Sequence, residues 1–119
     1  MGIYTQWLGP NTLSRFDKNK LSTSAHKINV KRLDDYHFTP DVIKIDVQGL
    51  EDSVARGGCE TINKHKPVLI VEAPSDDFVE MMAEFKLRPY RYNAGKFYEN
   101  DRSGTNVMFI SDDRMVKFK

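Results

Sequence analysis

Residues 41–72 read DVIKIDVQGLEDSVARGGCETINKHKPVLIVE, and their pattern decides the fold. Two short apolar runs, Val42 to Val47 and Val68 to Val71, are rich in β-branched side chains and too short to be helices of their own, which predicts strands buried on both faces. Between them the spacing predicts one helix ending near Arg56 and, beyond the Gly57-Gly58 pair, a second short turn to Lys64. Strand, helix, strand with a connection of this length is the βαβ unit, whose strands run parallel and require such a crossover. An α/β domain follows.

Each of these strands ends in a carboxylate, Asp46 after the first and Glu72 at the end of the second. Ligands of open parallel sheets bind in the crevice beyond the carboxyl ends of the strands, so both acids are placed to face whatever binds. Gly49 follows closely, where the lack of a Cβ permits a tight turn, and Glu51 falls in the first helical turn, where its charge suits the helix dipole. Spacing alone is equally consistent with ordinary strand-end and helix-start residues.

Working outward, residues 1–26 show no sustained period and carry Gly-Pro-Asn and Ser-Thr-Ser breakers, which predicts an amino-terminal arm of loop. Ile3, Tyr4, Trp7, Leu8, Leu13 and Phe16 are too apolar for a free tail, so the arm is expected to pack on its own sheet or on another chain. Lys27 to Lys31 alternates as a strand with one buried face, Leu33 to Tyr36 reads as a helical turn, and Pro40 leads the chain into the next strand. After Glu72, Ser75 is a helix cap followed by Asp76 and Asp77, and Phe78, Met81, Met82 and Phe85 form an apolar stripe of core type. Arg88 to Tyr92 and Lys96 to Tyr98 flank Asn93-Ala94-Gly95, a hairpin signal; Asn106 to Ile110 is a further strand, and Met115 to Lys119 alternates as an edge extension. The polar loop Glu99 to Thr105 is placed to overhang the site.

Beyond its pattern, the wording IKIDVQGLEDSVARGGCETINKHKPVLIVE resembles the FkbM-type S-adenosylmethionine-dependent methyltransferases, in which a segment of the form IKIDVEGAE, a short helix, a glycine, a second turn and P-hydrophobic-E recur in that order. Val30, Leu33 and Asp34 are similar to the valine and Leu-Asp pair that precede this segment in the family, and Asn106 to Ile110 to its last strand. The resemblance spans roughly residues 28–111. Gln48 stands where the family usually has Glu, and Leu50 where it usually has Ala, which removes one anionic group from the site.

The resemblance implies a partial Rossmann-like class I methyltransferase sheet, mostly parallel with an antiparallel final hairpin, and residues 27–119 as the carboxyl-terminal half of such a domain. The family's cofactor half, a strand with an acid-x-Gly-x-x-x-Gly turn, finds no match before position 30, where only Gly2 and Gly9 occur. Asp46 and Glu72 are then the implied catalytic pair, with Asp46 the base, and Gln48, Gly49, Glu51 and Asn106 lie near substrate or cofactor. The implied cofactor is S-adenosylmethionine, bound weakly or not at all by this chain alone, and the acceptor is a small molecule or a glycan. A homodimer or a separate cofactor-binding half would complete the site. A different class of function is a non-catalytic interaction module derived from a methyltransferase, which the missing glycine turn and Gln48 favour.

Composition narrows the field. At 119 residues with 39% hydrophobic and 29% charged side chains, the chain has room for one domain with a modest core. Net charge is +1 from 18 basic and 17 acidic groups, too little field to argue for nucleic acid or an anionic membrane. No run approaches the ~20 apolar residues of a membrane span, and no secretory signal opens the sequence, so a cytoplasmic protein is expected. Cys59, the single cysteine, forms no internal disulfide; near the end of the crossover helix it is expected to pack as core. Without a Cys or His cluster no structural zinc site can form, although Asp46 and Glu72 offer oxygen ligands of the kind Mg²⁺ prefers, as in catechol-type methyltransferases by fold analogy.

Overall fold

The computed structural model describes residues 2–4 and 24–118. They fall in two compact units, Met1–Lys31 and Arg32–Lys119. In the first, β1 (Gly2–Tyr4) pairs antiparallel with β2 (His26–Ile28), with Ile3 opposite Lys27. The strand expected over Lys27 to Lys31 is therefore shorter and shifted, and residues 24–31 are all exposed rather than buried on one face. Trp7, Leu8, Leu13 and Phe16 lie outside the described residues.

The second unit carries β3 (Val42–Ile45), α1 (Glu51–Gly57), α2 (Cys59–His65), β4 (Val68–Glu72), α3 (Asp76–Glu84), β5 (Leu87–Asn93), β6 (Lys96–Glu99), β7 (Asn106–Ser111) and α4 (Asp112–Met115), with 3-10 turns at Leu33–Tyr36 and Val116–Phe118. Its sheet has the order β3-β4-β7-β5-β6. The βαβ unit forms as read, with β3 parallel to β4 in the register Val42 to Val68 through Ile45 to Val71.

The sheet is not mostly parallel. That pair is its one parallel ladder among the described residues; β4 with β7, β7 with β5 and β5 with β6 are all antiparallel. The reason lies in the last long strand. β4 and β5 run the same way on either side of α3, but β7 enters between them in the opposite direction and takes both of their inner edges.

One face of the sheet holds the main core. Ile45, Leu69, Val71, Leu87, Val107 and Phe109 pack there against Ala55 of α1, Ile62 of α2, and Phe78 and Met82 of α3. Phe78 and Phe109 meet edge to face, with centroids 5.3 Å apart. The stripe on α3 is thus core, and Ser75 caps that helix by accepting the Phe78 N–H at 3.0 Å. On the opposite face Val68, Tyr90 and Ile110 are covered by Met115, with Phe97 and Met108 packed beside them.

Three further expectations change. Val42 of β3, an edge strand among the described residues, is 58% exposed, so burial on both faces holds for β4 and not for β3. Met115 to Lys119 does not extend a strand: the Ser111 hydroxyl accepts the Arg114 N–H, Asp112 and Asp113 occupy the first turn, and the chain coils so that Met115 reaches the core. Cys59 opens α2 instead of ending a crossover helix; it is half-buried, and its thiol lies 3.9 Å from an Asp34 carboxylate oxygen.

Candidate functional site

The cleft beyond β3 and β4 is built by two abrupt turns. β3 buries Ile45 and then releases Asp46 into solvent, after which Gln48 (φ 51°) and Gly49 (φ 96°) turn the chain in the left-handed region. Glycine takes that conformation freely, whereas glutamine is strained there. Glu51 closes the turn, since both oxygens of its carboxylate accept the Gly49 N–H, at 3.2 and 3.0 Å. This also places a negative charge at the first residue of α1, where the dipole favours it.

The second turn mirrors the first. Glu72 ends β4 exposed, and Ala73 follows with φ 44°, another non-glycine residue in the left-handed region. The Ala73 N–H is held by the Thr105 carbonyl at 3.1 Å. Behind it the Ser75 hydroxyl donates to the Asp52 carboxylate at 3.1 Å, which ties the first turn of α3 to the first turn of α1. Asp46 and Glu72 lie one position beyond the last register pair, Ile45 with Val71, and so are side by side.

Between the two turns lies a cleft of about 400 Å³ lined by Asp46, Gln48, Gly49, Glu51, Glu72 and Ala73. Asn106 stands opposite Glu72 in the antiparallel ladder but does not line the cleft. A larger hollow, about 480 Å³, lies against α3 and the start of β5; Arg88 on its wall is already paired with Glu99 at 2.6 Å and Asp112 at 3.3 Å. Chemically the smaller cleft is the better candidate, because Asp46 and Glu72 are exposed and pair with no cation among the described residues. Among the described residues no group of three or more His, Cys, Asp or Glu side chains is placed to hold a metal ion.

Two features of this end of the molecule were invisible in the sequence. Ala73 carries no signal of left-handed backbone, since alanine is ordinarily right-handed or extended. Arg102 lies in the polar loop read as an overhang, and its guanidinium spans to the Asp76 carboxylate at 2.9 Å and the Pro74 carbonyl at 3.0 Å.

A second polar centre supports the crossover. Asp34 is only 6% exposed, and its carboxylate accepts the backbone N–H of Thr61 at 2.9 Å and of Glu60 at 3.1 Å. It thereby caps α2 from 25 residues and more away in the chain, a helix with no capping side chain of its own. Burial works to raise the Asp34 pKa, but the hydrogen bonds from Thr61 and Glu60 and the charge of Arg32 outweigh it, and the carboxyl sits below its ordinary value. The Leu-Asp pair is thus a clamp on the crossover: Leu33 packs so closely on Gly58 that a Cβ there would meet its Cδ2 at 2.8 Å.

The Methyltransferase FkbM domain is the family whose sequence model matches this chain, over residues 4–92. The chain belongs to the FkbM methyltransferase family. The match contains both strand ends of the cleft and the Asp34 clamp, extends back into the arm, and ends inside β5 before Asn106. No curated protein and no solved structure matches the chain. No helix among the described residues is long and apolar enough to cross a membrane.

Methyltransferases of this kind use S-adenosylmethionine, and the cleft fits only part of such a donor. Its wall is polar and carries no aromatic or large apolar side chain on which an adenine ring could lie. The described glycines sit at the start of β1, in the Gly49 turn, the Gly57-Gly58 break, the Gly95 hairpin and the Gly104 loop, and none forms a glycine-rich cradle between a strand and a helix. These residues supply neither the apolar face nor the glycine cradle that the nucleotide of the donor would need.

Proposed function

We propose that the cleft is the acceptor side of an O-methyl transfer site, for a small molecule or glycan hydroxyl, and that the donor is held by a separate cofactor-binding half or another copy of the chain. The observation that carries this reading is the pairing of Asp46 and Glu72 at adjacent, parallel strand ends over one open cleft in an FkbM-family chain. Asp46 takes the acceptor proton, and Gln48 and Glu72 orient the hydroxyl. Orientation and proton removal are what such a transfer asks of the protein. A single cysteine is in keeping with work in the reducing cytoplasm.

In this reading the chain alone binds S-adenosylmethionine weakly or not at all, and calorimetry giving a micromolar Kd would contradict it. The decisive test joins the full chain to the donor-binding half of an active family member and follows tritiated methyl into hydroxylated acceptors. Asp46→Asn should lower turnover about 100-fold or more; turnover equal to the parent's would remove Asp46 from the chemistry. A second reading, a non-catalytic interaction module, draws on the edge that β3 leaves unpaired among the described residues and on the exposed side chains of Val42, Val47 and Leu50 in and just after that strand.

A further inference from the structure

We propose that Arg102 is a positioning residue of the cleft: it locks the turn after β4 and so fixes the direction in which Glu72 presents its carboxylate. The proposal rests on the reading of the cleft as an acceptor site.

The turn has to be locked by something. Ala73 sits at φ 44°, a conformation that costs a non-glycine residue free energy and persists only where the surroundings over-determine it. Glu72 is the last residue of the ladder with β7, opposite Asn106, and it is exposed. With Ala73 free to relax to ordinary backbone, the strand end would re-aim, and Glu72 with it.

Besides the tie from Ser75 to Asp52 of α1, the contacts that hold the turn at Ala73 come from the loop between β6 and β7. Thr105 accepts the Ala73 N–H, and Arg102 takes the Pro74 carbonyl with one nitrogen and the Asp76 carboxylate with the other. A planar guanidinium can bridge two acceptors at fixed angles, which lysine cannot do. Held at both ends, the turn has no room to flip.

The loop is itself anchored, which distinguishes a strut from a chance surface contact. Asp101 accepts the Ser103 N–H at 2.9 Å, the Ser103 hydroxyl at 2.6 Å and the Arg91 Nε at 2.7 Å. Arg91 in turn lies over the Tyr98 ring, 4.4 Å from its centroid, and packs so closely on Gly104 that a Cβ there would meet it at 3.3 Å. Force on Arg102 is therefore passed to the β5–β6 hairpin instead of being lost in a mobile loop. An isolated exposed ion pair would contribute little; one that closes a chain from the sheet to the strained residue can set its geometry.

Amide hydrogen exchange and backbone NMR on the full chain test this directly. Arg102→Ala should speed exchange of the Ala73 N–H about five-fold or more while core amides such as those of Val71 and Phe109 keep their rates. Arg102→Lys, which keeps the charge opposite Asp76 but loses the fork, should fail to restore protection. Unchanged exchange at Ala73 would overturn the proposal, and so would equal acceleration of the core amides, which would make Arg102 a general stabiliser. In the completed enzyme, Arg102→Ala should lower acceptor turnover with the donor KM unchanged; a change in donor KM alone would also count against it. Should Asp46→Asn leave turnover intact, the acceptor reading fails, yet the exchange result still decides whether Arg102 locks the turn.

Discussion

Removing the Asp34 carboxylate tests the crossover clamp. Two backbone donors, the buried Thr61 N–H and the part-buried Glu60 N–H, depend on it, and their own helix offers them nothing else. A hydrogen bond to a charged acceptor contributes about 1.5–3 kcal/mol, and removal of a helix cap costs about 1 kcal/mol in ordinary cases. Asp34→Asn keeps one acceptor oxygen but turns an amide NH₂ toward a backbone N–H, so it should cost about 2 kcal/mol. Asp34→Ala strands both donors and should cost about 3 kcal/mol. For a domain of this size that corresponds to a melting temperature lower by about 10–20 °C. The neighbouring Asp35, whose exposed carboxylate pairs with the Arg32 guanidinium and accepts the Arg32 N–H, is the comparison, and Asp35→Asn should cost less than Asp34→Asn.

The pH dependence has a definite sign. The Asp34 carboxyl is depressed from its ordinary 3.8, so its contribution is fully present above that value and is lost as pH falls through the lower, folded value. Urea unfolding of parent and Asp34→Asn at pH 7 and again below about pH 4 should therefore show a difference that shrinks in acid. A cost under about 1 kcal/mol for Asp34→Ala, or a difference that grows in acid, would refute the clamp.

Other consequences are open to equally simple measurements. Gly58→Ala should destabilise by about 1–2 kcal/mol in urea unfolding, because its Cβ would press on Leu33, whereas Gly57→Ala, with its nearest contact at 3.4 Å on Arg32, should be neutral or slightly stabilising. Asp101, held down to about 2 by the Ser103 hydroxyl and by Arg91, should keep the Ser103 amide resonance constant from neutral pH down to about 3 and release it only as pH falls through 2; a midpoint near 4 would mean that the loop is not anchored. Sedimentation at micromolar concentration should find a homodimer, because β3 leaves a backbone edge unpaired among the described residues and a net charge of +1 does little to keep copies apart; a monomer would withdraw that edge as a self-association site.

The parts of this fold that the sequence disclosed are the ones set by local pattern. β3, the broken helix and β4 follow from two β-branched runs around a Gly-Gly pair, and the β5–β6 hairpin from Ala94-Gly95, both in the left-handed region. The strand order was hidden because it depends on which edges β7 finds, and Asn106 to Ile110 would read the same beside any strand. β3 reads as buried on both faces because Val42, Ile43 and Ile45 are apolar, yet exposure is decided by neighbours that a single run does not name. The carboxylates of the cleft were legible from their position after strands; Ala73 and Arg102 were not, since one adopts a conformation foreign to its type and the other acts through contacts 26 and 28 residues away.

The order of the strands also limits where a completing partner can act. Asp46 lies at the end of β3, on the outer edge of the sheet, with Glu72 on its inner side. A strand added beside β3 would bring its own end to the open flank of Asp46, within one strand spacing, about 4.8 Å. The other edge, β6, is four strands away, roughly 19 Å, and carries Lys96 and Glu99 along a short charged strand of the kind that discourages pairing. On the proposed reading, a donor-bearing partner is expected to meet this chain at β3, and an occupant of that edge that brings no donor, a second copy included, should compete with methyl transfer by covering the same flank.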